Sequence, residues 1–395
     1  MGLLKVKRWI KNCIGCGLCT GPGPIYPFRE GGIVPEEEGI PSHKCPMYEH
    51  YKFVSASPRG LLYLAATVAN GDFPLTEDLV ERAYQCLTCG VCNDLCYINK
   101  TSAIHALREE IVEHGMGPLP ANKAIDKSIR IRNNVFGLPA KERLKWTEGL
   151  NLSNEGDFLF FAGCYDSYRY PQEARDVVRI FRQAGLKPAH LGPKEICCGA
   201  HAFWDGDTGL AKAKAKALVG AIERTGHTEV VVTCADCYRV LVEDYEVLLG
   251  PLPFKVTHFS VKIAEIFSHG DLRPKHEIRE TVTYHDPCRL FNHFMIQDEP
   301  RTVIKSIPGI DFVEMREGLR WSSCCGSGGM VSQQAFPKFS EEVTIERLNR
   351  AKSFAPTLIT NCPHCFDLFR KVSKDHGINI TILPLTKLVS MSLGL

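Results

Sequence analysis

The cysteines come in an order that limits what this chain can become. There are 18 of them in 395 residues, and they fall into four groups with none left over. Cys13, Cys16 and Cys19 are spaced C-x2-C-x2-C, with Cys45 and Pro46 further on. Cys86, Cys89, Cys92 and Cys96 run C-x2-C-x2-C-x3-C. Cys164, the adjacent pair Cys197 and Cys198, and the C-x2-C pair Cys234 and Cys237 form the third group. Cys288, the pair Cys324 and Cys325, and the pair Cys362 and Cys365 form the fourth. Casual use of cysteine in a core leaves strays. A chain of this length is no short disulfide scaffold, and at about 150 residues per domain it holds two or three domains. The first dozen residues, MGLLKVKRWIKN, carry charge and no apolar h-region, so no secretory signal is expected. No apolar run reaches the roughly 18 residues of a membrane span. A cytoplasmic location follows as the expectation, and there many cysteines mean metal, clusters or redox chemistry. With 47 Lys+Arg against 45 Asp+Glu, no nucleic-acid partner is expected.

The first two groups have the spacing of cubane 4Fe–4S sites, in which three thiolates two residues apart wrap a cluster and a remote fourth closes it. In two-cluster ferredoxins the fourth cysteine of each run ligates the other cluster. By that rule Cys13, Cys16, Cys19 and Cys96 hold one cubane, and Cys86, Cys89, Cys92 and Cys45 hold the other. Pro46 fits the usual C-P ending; Tyr97 after Cys96 does not. The 25 residues between Cys19 and Cys45 also depart from the compact run, and their GPGP and GGIVPEEEG read as loop. Zinc favours separated C-x2-C pairs and would leave a surplus thiol at each site. Residues 61–70 and 102–114 read as amphipathic helices around these loops.

The third and fourth groups repeat each other. The gaps are 32 and 35 residues in one copy and 35 and 36 in the other. The flanks repeat too: FLFFAGC with TVTYHDPC, EICCG with SSCCG, and VVVTCADC with LITNCPHC. Each site follows an apolar run that reads as a buried parallel strand, and residues 171–185, 211–225 and 339–353 read as helices between them. Alternating strands and helices predict a βαβ domain with a parallel sheet, twice over. Ligands of such sheets gather at the carboxyl ends of the strands, so two metal sites are expected to face each other across a pseudo-two-fold interface. Five thiolates exceed what a cubane needs. They suit an opened or irregular cluster; a cubane with one spectator thiol, or a zinc site, remains the simpler alternative.

This spacing, C-x(about 31–39)-C-C-x(35–36)-C-x-x-C, resembles the cysteine-rich or CCG domain. Two CCG domains behind a two-cluster ferredoxin-like domain resemble the heterodisulfide reductase family, in the arrangement of its D-type subunit, over nearly the whole chain. The iron–sulfur subunits of glycolate and lactate oxidation and of anaerobic glycerol-3-phosphate dehydrogenase share the architecture. The implied organisation is a mixed α+β and α/β multidomain chain. A mostly helical ferredoxin-like domain (1–150) precedes two pseudo-symmetric α/β CCG domains (155–272 and 278–395). The resemblance implies one noncubane 4Fe–4S cluster on Cys164, Cys197, Cys198, Cys234 and Cys237, and another on Cys288, Cys324, Cys325, Cys362 and Cys365. A small-thiol disulfide lies between them, that of coenzyme M and coenzyme B in methanogenesis. The implied electron donor is a membrane cytochrome b-type subunit or a soluble flavoprotein, which would seat the chain in the cytoplasm or against the inner membrane face. The rival reading is a non-catalytic relay from a flavin-dependent 2-hydroxyacid or glycerol-3-phosphate dehydrogenase towards quinone. A third is a zinc and iron scaffold.

Other residues invite weaker readings. His285 and Asp286 precede Cys288 and are placed to supply a proton or hydrogen bond to a leaving thiolate, or merely to cap the turn. His364 and His201 carry the same pair of readings. Arg169, Arg239 and Arg289 follow cysteine motifs and suit anionic substrate groups or ordinary ion pairs. Gly326, Gly328 and Gly329 lack the spacing of a phosphate loop and read as close backbone approach to a cluster. No dinucleotide fingerprint is present, so no flavin or nicotinamide is expected in this chain. Lys5, Lys7, Arg8 and Lys11 read as a solvated basic tail. The C-terminal ITILPLTKLVSMSLGL reads as a strand and a core-packed helix.

Overall fold

The computed structural model describes residues 2–3, 7, 12–17, 19, 45–94, 96, 98–315 and 322–395. Most of the Cys19–Cys45 insertion, the basic residues Lys5, Arg8 and Lys11, and Tyr97 lie outside the described residues. Among the described residues, no helix is long and apolar enough to cross a membrane.

The N-terminal part is helical. Ser57 caps helix Pro58–Asn70 by accepting from the Gly60 amide, and Pro58 supplies its first turn. Thr76 caps Glu77–Gln85 and Asn99 caps Lys100–Glu113 in the same way. The caps at Ser57 and Asn99 start their helices before the apolar periodicity begins. A fourth helix, Pro120–Arg132, packs against the first α/β unit.

Two four-stranded parallel sheets follow. The first contains β1 (Phe158–Phe161), β2 (Pro188–Ala189), β3 (Glu229–Val232) and β4 (Lys255–His258), in the order β2-β1-β3-β4. The second contains β5 (Glu280–His285), β6 (Ile310–Phe312), β7 (Thr357–Thr360) and β8 (Thr381–Pro384), in the order β6-β5-β7-β8. Leu159 pairs with Val230, and Tyr284 with Ile359. All four residues of β1 and of β7 are buried, as expected of central parallel strands covered on both faces. The expected helices appear as Pro171–Gln183, Thr208–Glu223 and Pro337–Lys352. One expectation fails locally. The Cys-Cys pairs do not follow their strands directly, because the edge strands β2 and β6 are short and a turn at Gly192–Lys194 separates β2 from Cys197.

The two α/β units exchange helices. The last helix of the first unit, Phe259–His269, packs on Asp298–Lys305, the first long helix of the second. The C-terminal helix, Leu385–Leu393, packs on Pro171–Gln183 of the first unit. One apolar cluster therefore runs through Phe158, Phe160 and Val231 of one sheet and Val282, Tyr284 and Ile359 of the other. Another joins the N-terminal helices to the first unit through Leu79, Tyr84, Leu107 and Phe203. The C-terminal segment is strand and core helix, as its sequence implies.

Glu173 sits on the seam between the units and accepts a hydrogen bond from the Thr386 hydroxyl. Burial pushes its carboxyl up to about 7, against the opposing charges of Lys387 and Arg370. A folded pKa above the unfolded value means that the contribution to stability is complete below the unfolded value of 4.5 and is lost as pH rises through 7. Melting of the intact protein should therefore drop more steeply from about pH 5 to 8 than melting of Glu173→Gln. Parallel profiles would show that this carboxyl is not held neutral by the fold.

Candidate functional site

The central strands deliver the cysteines. Cys164 lies just beyond β1, Cys234 beyond β3, Cys288 beyond β5 and Cys362 beyond β7. In a 2-1-3-4 sheet the strand order reverses between the first and third strands, and a crevice opens at their carboxyl ends. The Cys-Cys pairs reach the same crevices from the edge. All ten of these cysteines are buried. In the first unit, Cys198 Sγ lies 3.5 Å from Cys237 Sγ, and Cys197 is in hydrogen-bond contact with Cys164 and Cys198. In the second, Cys324 contacts Cys288 and Cys325, while Cys365 contacts Cys325 and Cys362.

The groups also touch one another. Cys234 meets Cys362 across the seam between the units. Cys89 meets Cys324. Within the N-terminal part, Cys13, Cys16 and Cys96 are charge neighbours of Cys19, and Cys86 is one of Cys45. Cys89 neighbours Cys45 and Cys92. The chain thus brings its sulfur into one continuous line, from the N-terminal groups to the second unit and on to the first.

These residues fit iron–sulfur clusters. A cavity of about 270 Å³ is lined by all five cysteines of the second unit, together with Asp236 and His364. Thiols this deep resist ionisation: burial pushes Cys45 up to about 12. A bound metal supplies the positive charge that makes such ligands thiolates. Buried protein cations stand beside each group as well. Lys100 neighbours Cys19 and Cys92, Arg108 neighbours Cys86, Arg289 neighbours Cys288 and Cys324, and Arg347 neighbours Cys325 and Cys365. Arg108 also donates to the carbonyls of Ala83, Cys86 and Trp204, tying the N-terminal helices to the first unit. Arg143 lies 3.7 Å from Cys164 Sγ and 3.0 Å from Glu195, whose carboxylate accepts from the Gly163 amide. No spacing in the sequence marks Arg108, Arg143 or Arg347; only Glu195, two residues before the Cys-Cys pair, sits inside a repeat motif.

The two C-x2-C loops meet through their middle residues. Asp236 of one lies 3.0 Å from His364 Nδ1 of the other, and Arg289 Nε lies 3.5 Å from Asp236. Burial alone would lower His364; the Asp236 carboxylate and the Cys362 and Cys325 sulfurs override it and push it up to about 9. His285 points at Cys325 and Cys365 rather than at Cys288, with ligand atoms all within 4.8 Å. Its Nδ1 accepts from Arg347, which puts the proton on Nε2. Asp286 receives both terminal nitrogens of Arg301, at 2.7 and 2.8 Å. Arg239 is taken up by Glu243, and Arg169 lies over the Phe136 ring. Arg289 lines the cavity, donating to Thr88 and stacked 4.0 Å from the Trp204 ring. Gly328 and Gly329 line it too, and Gly329 has positive φ with no room for a Cβ against Trp204. Gly326 is instead pressed against the Ser340 carbonyl. His201 faces Asp205, away from these contacts.

The sequence matches the cysteine-rich domain family (CCG) over residues 158–242 and 282–370, and the 4Fe-4S dicluster domain family over residues 9–99. It is 29% identical over 393 residues to the D-type subunit of the dihydromethanophenazine:CoB--CoM heterodisulfide reductase of Methanosarcina barkeri, covering 97% of this chain and 94% of that one. The chain belongs to the CCG family and is a heterodisulfide reductase-like protein of the D type. Further similarity reaches the EtfAB:quinone oxidoreductase of Syntrophomonas wolfei, at 25% identity, over 91% of this chain and 54% of that protein. A crystal structure of a hypothetical protein from Helicobacter pylori shares the fold with a TM-score of 0.59 and 12% identity, covering 86% of this chain and 68% of the other. The heterodisulfide reductase-like chain is accordingly an iron–sulfur oxidoreductase with 4Fe–4S clusters, mixed α/β in class.

The Arg143–Glu195 pair is about 4% exposed on each side chain. Removing one partner leaves a buried charge unpaired, at a cost of about 3–5 kcal/mol. Arg143→Met should lower the unfolding free energy by that amount and displace Gly163 and Cys164; a change under about 1 kcal/mol in chemical denaturation would show that the pair is dispensable.

Proposed function

We propose that this chain is the catalytic iron–sulfur subunit of a heterodisulfide-reductase-like complex, reducing or reversibly forming a disulfide of two small thiols. The observation that carries the reading is the unbroken line of cysteine groups ending at a cavity whose walls come from both CCG units. In this reading Cys13, Cys16, Cys19 and Cys96, and Cys86, Cys89, Cys92 and Cys45, hold cubane clusters. The five cysteines of each CCG unit hold a noncubane cluster. Bound there, the clusters supply one-electron transfer and iron sites with affinity for sulfur.

The chain's own residues supply the rest. Reduction follows RS–SR′ + 2e⁻ + 2H⁺ → RSH + R′SH, so two protons must arrive with the electrons. His364, kept protonated by Asp236, lines the cavity and holds one at its ring. Arg289 places a fixed positive charge on the same wall, which favours thiols bearing anionic groups. The Cys89–Cys324 contact is where electrons pass into the CCG pair. The donor is a cytochrome b-type membrane subunit or a soluble flavoprotein, and the chain works in the cytoplasm or on the inner membrane face. The Syntrophomonas relative supports a second reading, in which the chain relays electrons from a flavoprotein towards quinone and binds no thiol.

Anaerobic electron paramagnetic resonance with iron and sulfide counted in the same sample separates the two. Catalysis predicts about sixteen irons per chain and a new paramagnetic signal when candidate thiols are added under mild oxidation. About eight to twelve irons and an unchanged spectrum leave the relay.

A further inference from the structure

Away from the cysteines, a second cluster of ligand-type side chains is buried where helix Pro120–Arg132 crosses helix Ala200–Asp205. Asn122 and Asp126 are four residues apart and so share a face of the first helix. His201 and Asp205 are four apart on the second. Ligand atoms of Asp126, His201 and Asp205 all lie within 4.8 Å of one another, and His201 Nδ1 is 3.9 Å from Asp205 Oδ2. Donors about 2.0–2.2 Å from one ion lie roughly 3–4.3 Å apart, so that separation fits two ligands of a single ion.

The hydrogen bonding is incomplete in the way an ion site requires. His201 is 3% exposed and neither ring nitrogen has a hydrogen-bond partner. Asn122 is fully buried, with neither amide atom partnered. Both oxygens of Asp126 and Oδ2 of Asp205 are also unsatisfied, while Asp205 Oδ1 accepts from the Asp207 amide. Groups this deep are normally paired. Arg130, the nearest candidate counter-charge, is engaged with Asp207 at the rim. We propose that Asp126, His201 and Asp205, with Asn122 beside them, bind one divalent first-row metal ion.

Two carboxylates and a neutral imidazole balance a dication, and a mixed nitrogen and oxygen set suits the range from manganese to zinc rather than calcium or magnesium. The ion is separate from the iron–sulfur sites and structural in role. It pins the last N-terminal helix to the turn immediately after Cys197 and Cys198, and so fixes where that pair enters the crevice. Burial pushes Asp126 up to about 7 and Asp205 well up, so without a cation the two side chains are driven to share a proton. That shared proton is the competing arrangement.

Crystals of the intact, anaerobically purified protein would decide between them. Anomalous difference maps collected on either side of the manganese, iron, cobalt, nickel, copper and zinc edges should show one peak between Asp126, His201 and Asp205. The peak should vanish in Asp126→Asn and His201→Ala while the cluster iron peaks remain. No peak at any edge, with the two carboxyl groups at hydrogen-bonding distance, would overturn the proposal, as would a peak that survives both substitutions. If the variants fail to fold, the native maps alone decide the matter.

Discussion

Buried sulfur governs this structure. A thiolate removed from water is costly unless positive charge accompanies it. Each cysteine group here lies at the end of a strand or in a loop closed off by neighbouring units, and each has a buried cation at its side: Lys100, Arg108, Arg289, Arg347 or Arg143. The same cations are structural ties. Arg108 gathers carbonyls from three segments, and Arg289 reaches from the second α/β unit to Thr88 beside the N-terminal cysteines. Charge compensation and domain assembly are therefore one set of contacts. Any change that relaxes the assembly also uncovers sulfur.

The pseudo-two-fold arrangement adds a constraint of its own. Because each unit lends its last helix to the other, neither sheet is covered on both faces alone. The two C-x2-C loops are held face to face as a result, and Asp236 meets His364. The units are nevertheless unequal. Where the second has His285 and Asp286 at the end of β5, the first has Phe161 and Ala162 at the end of β1. The second cysteine site thus sits in a charged, hydrogen-bonded shell of His285, Arg347, Asp286 and Arg301. The first relies on Arg143, brought in from outside the repeat, and on its partner Glu195.

Much of this was legible from spacing. The grouping of the cysteines, the repeat, the strands leading to Cys164, Cys234, Cys288 and Cys362, and the principal helices follow from local periodicity and from ligand geometry, which act over a few residues. Helix starts were misplaced by two or three positions because caps such as Ser57 and Asn99 act before the apolar stripe begins. The Cys-Cys pairs looked like strand ends because their motifs repeat. They lie in loops, since the edge strands have few neighbours to pair with and stay short.

The sequence by itself determined which residues bind metal-like partners and how the α/β units alternate, because ligand spacing and hydrophobic period are written along the chain. Only the tertiary structure decided which groups touch. Cys89 and Cys324 are more than two hundred residues apart, and Tyr170 and Asp367, which share a hydrogen bond across the seam, are separated by 197. His285 looked like a partner of Cys288 from adjacency alone, yet the direction of its side chain at the end of β5 turns it to Cys325 and Cys365. His201 likewise stood near Cys198 in sequence and belongs in space with Asp126 and Asp205. Adjacency along a chain fixes distance between backbones, whereas the direction of a side chain depends on the element carrying it and on what packs against that element.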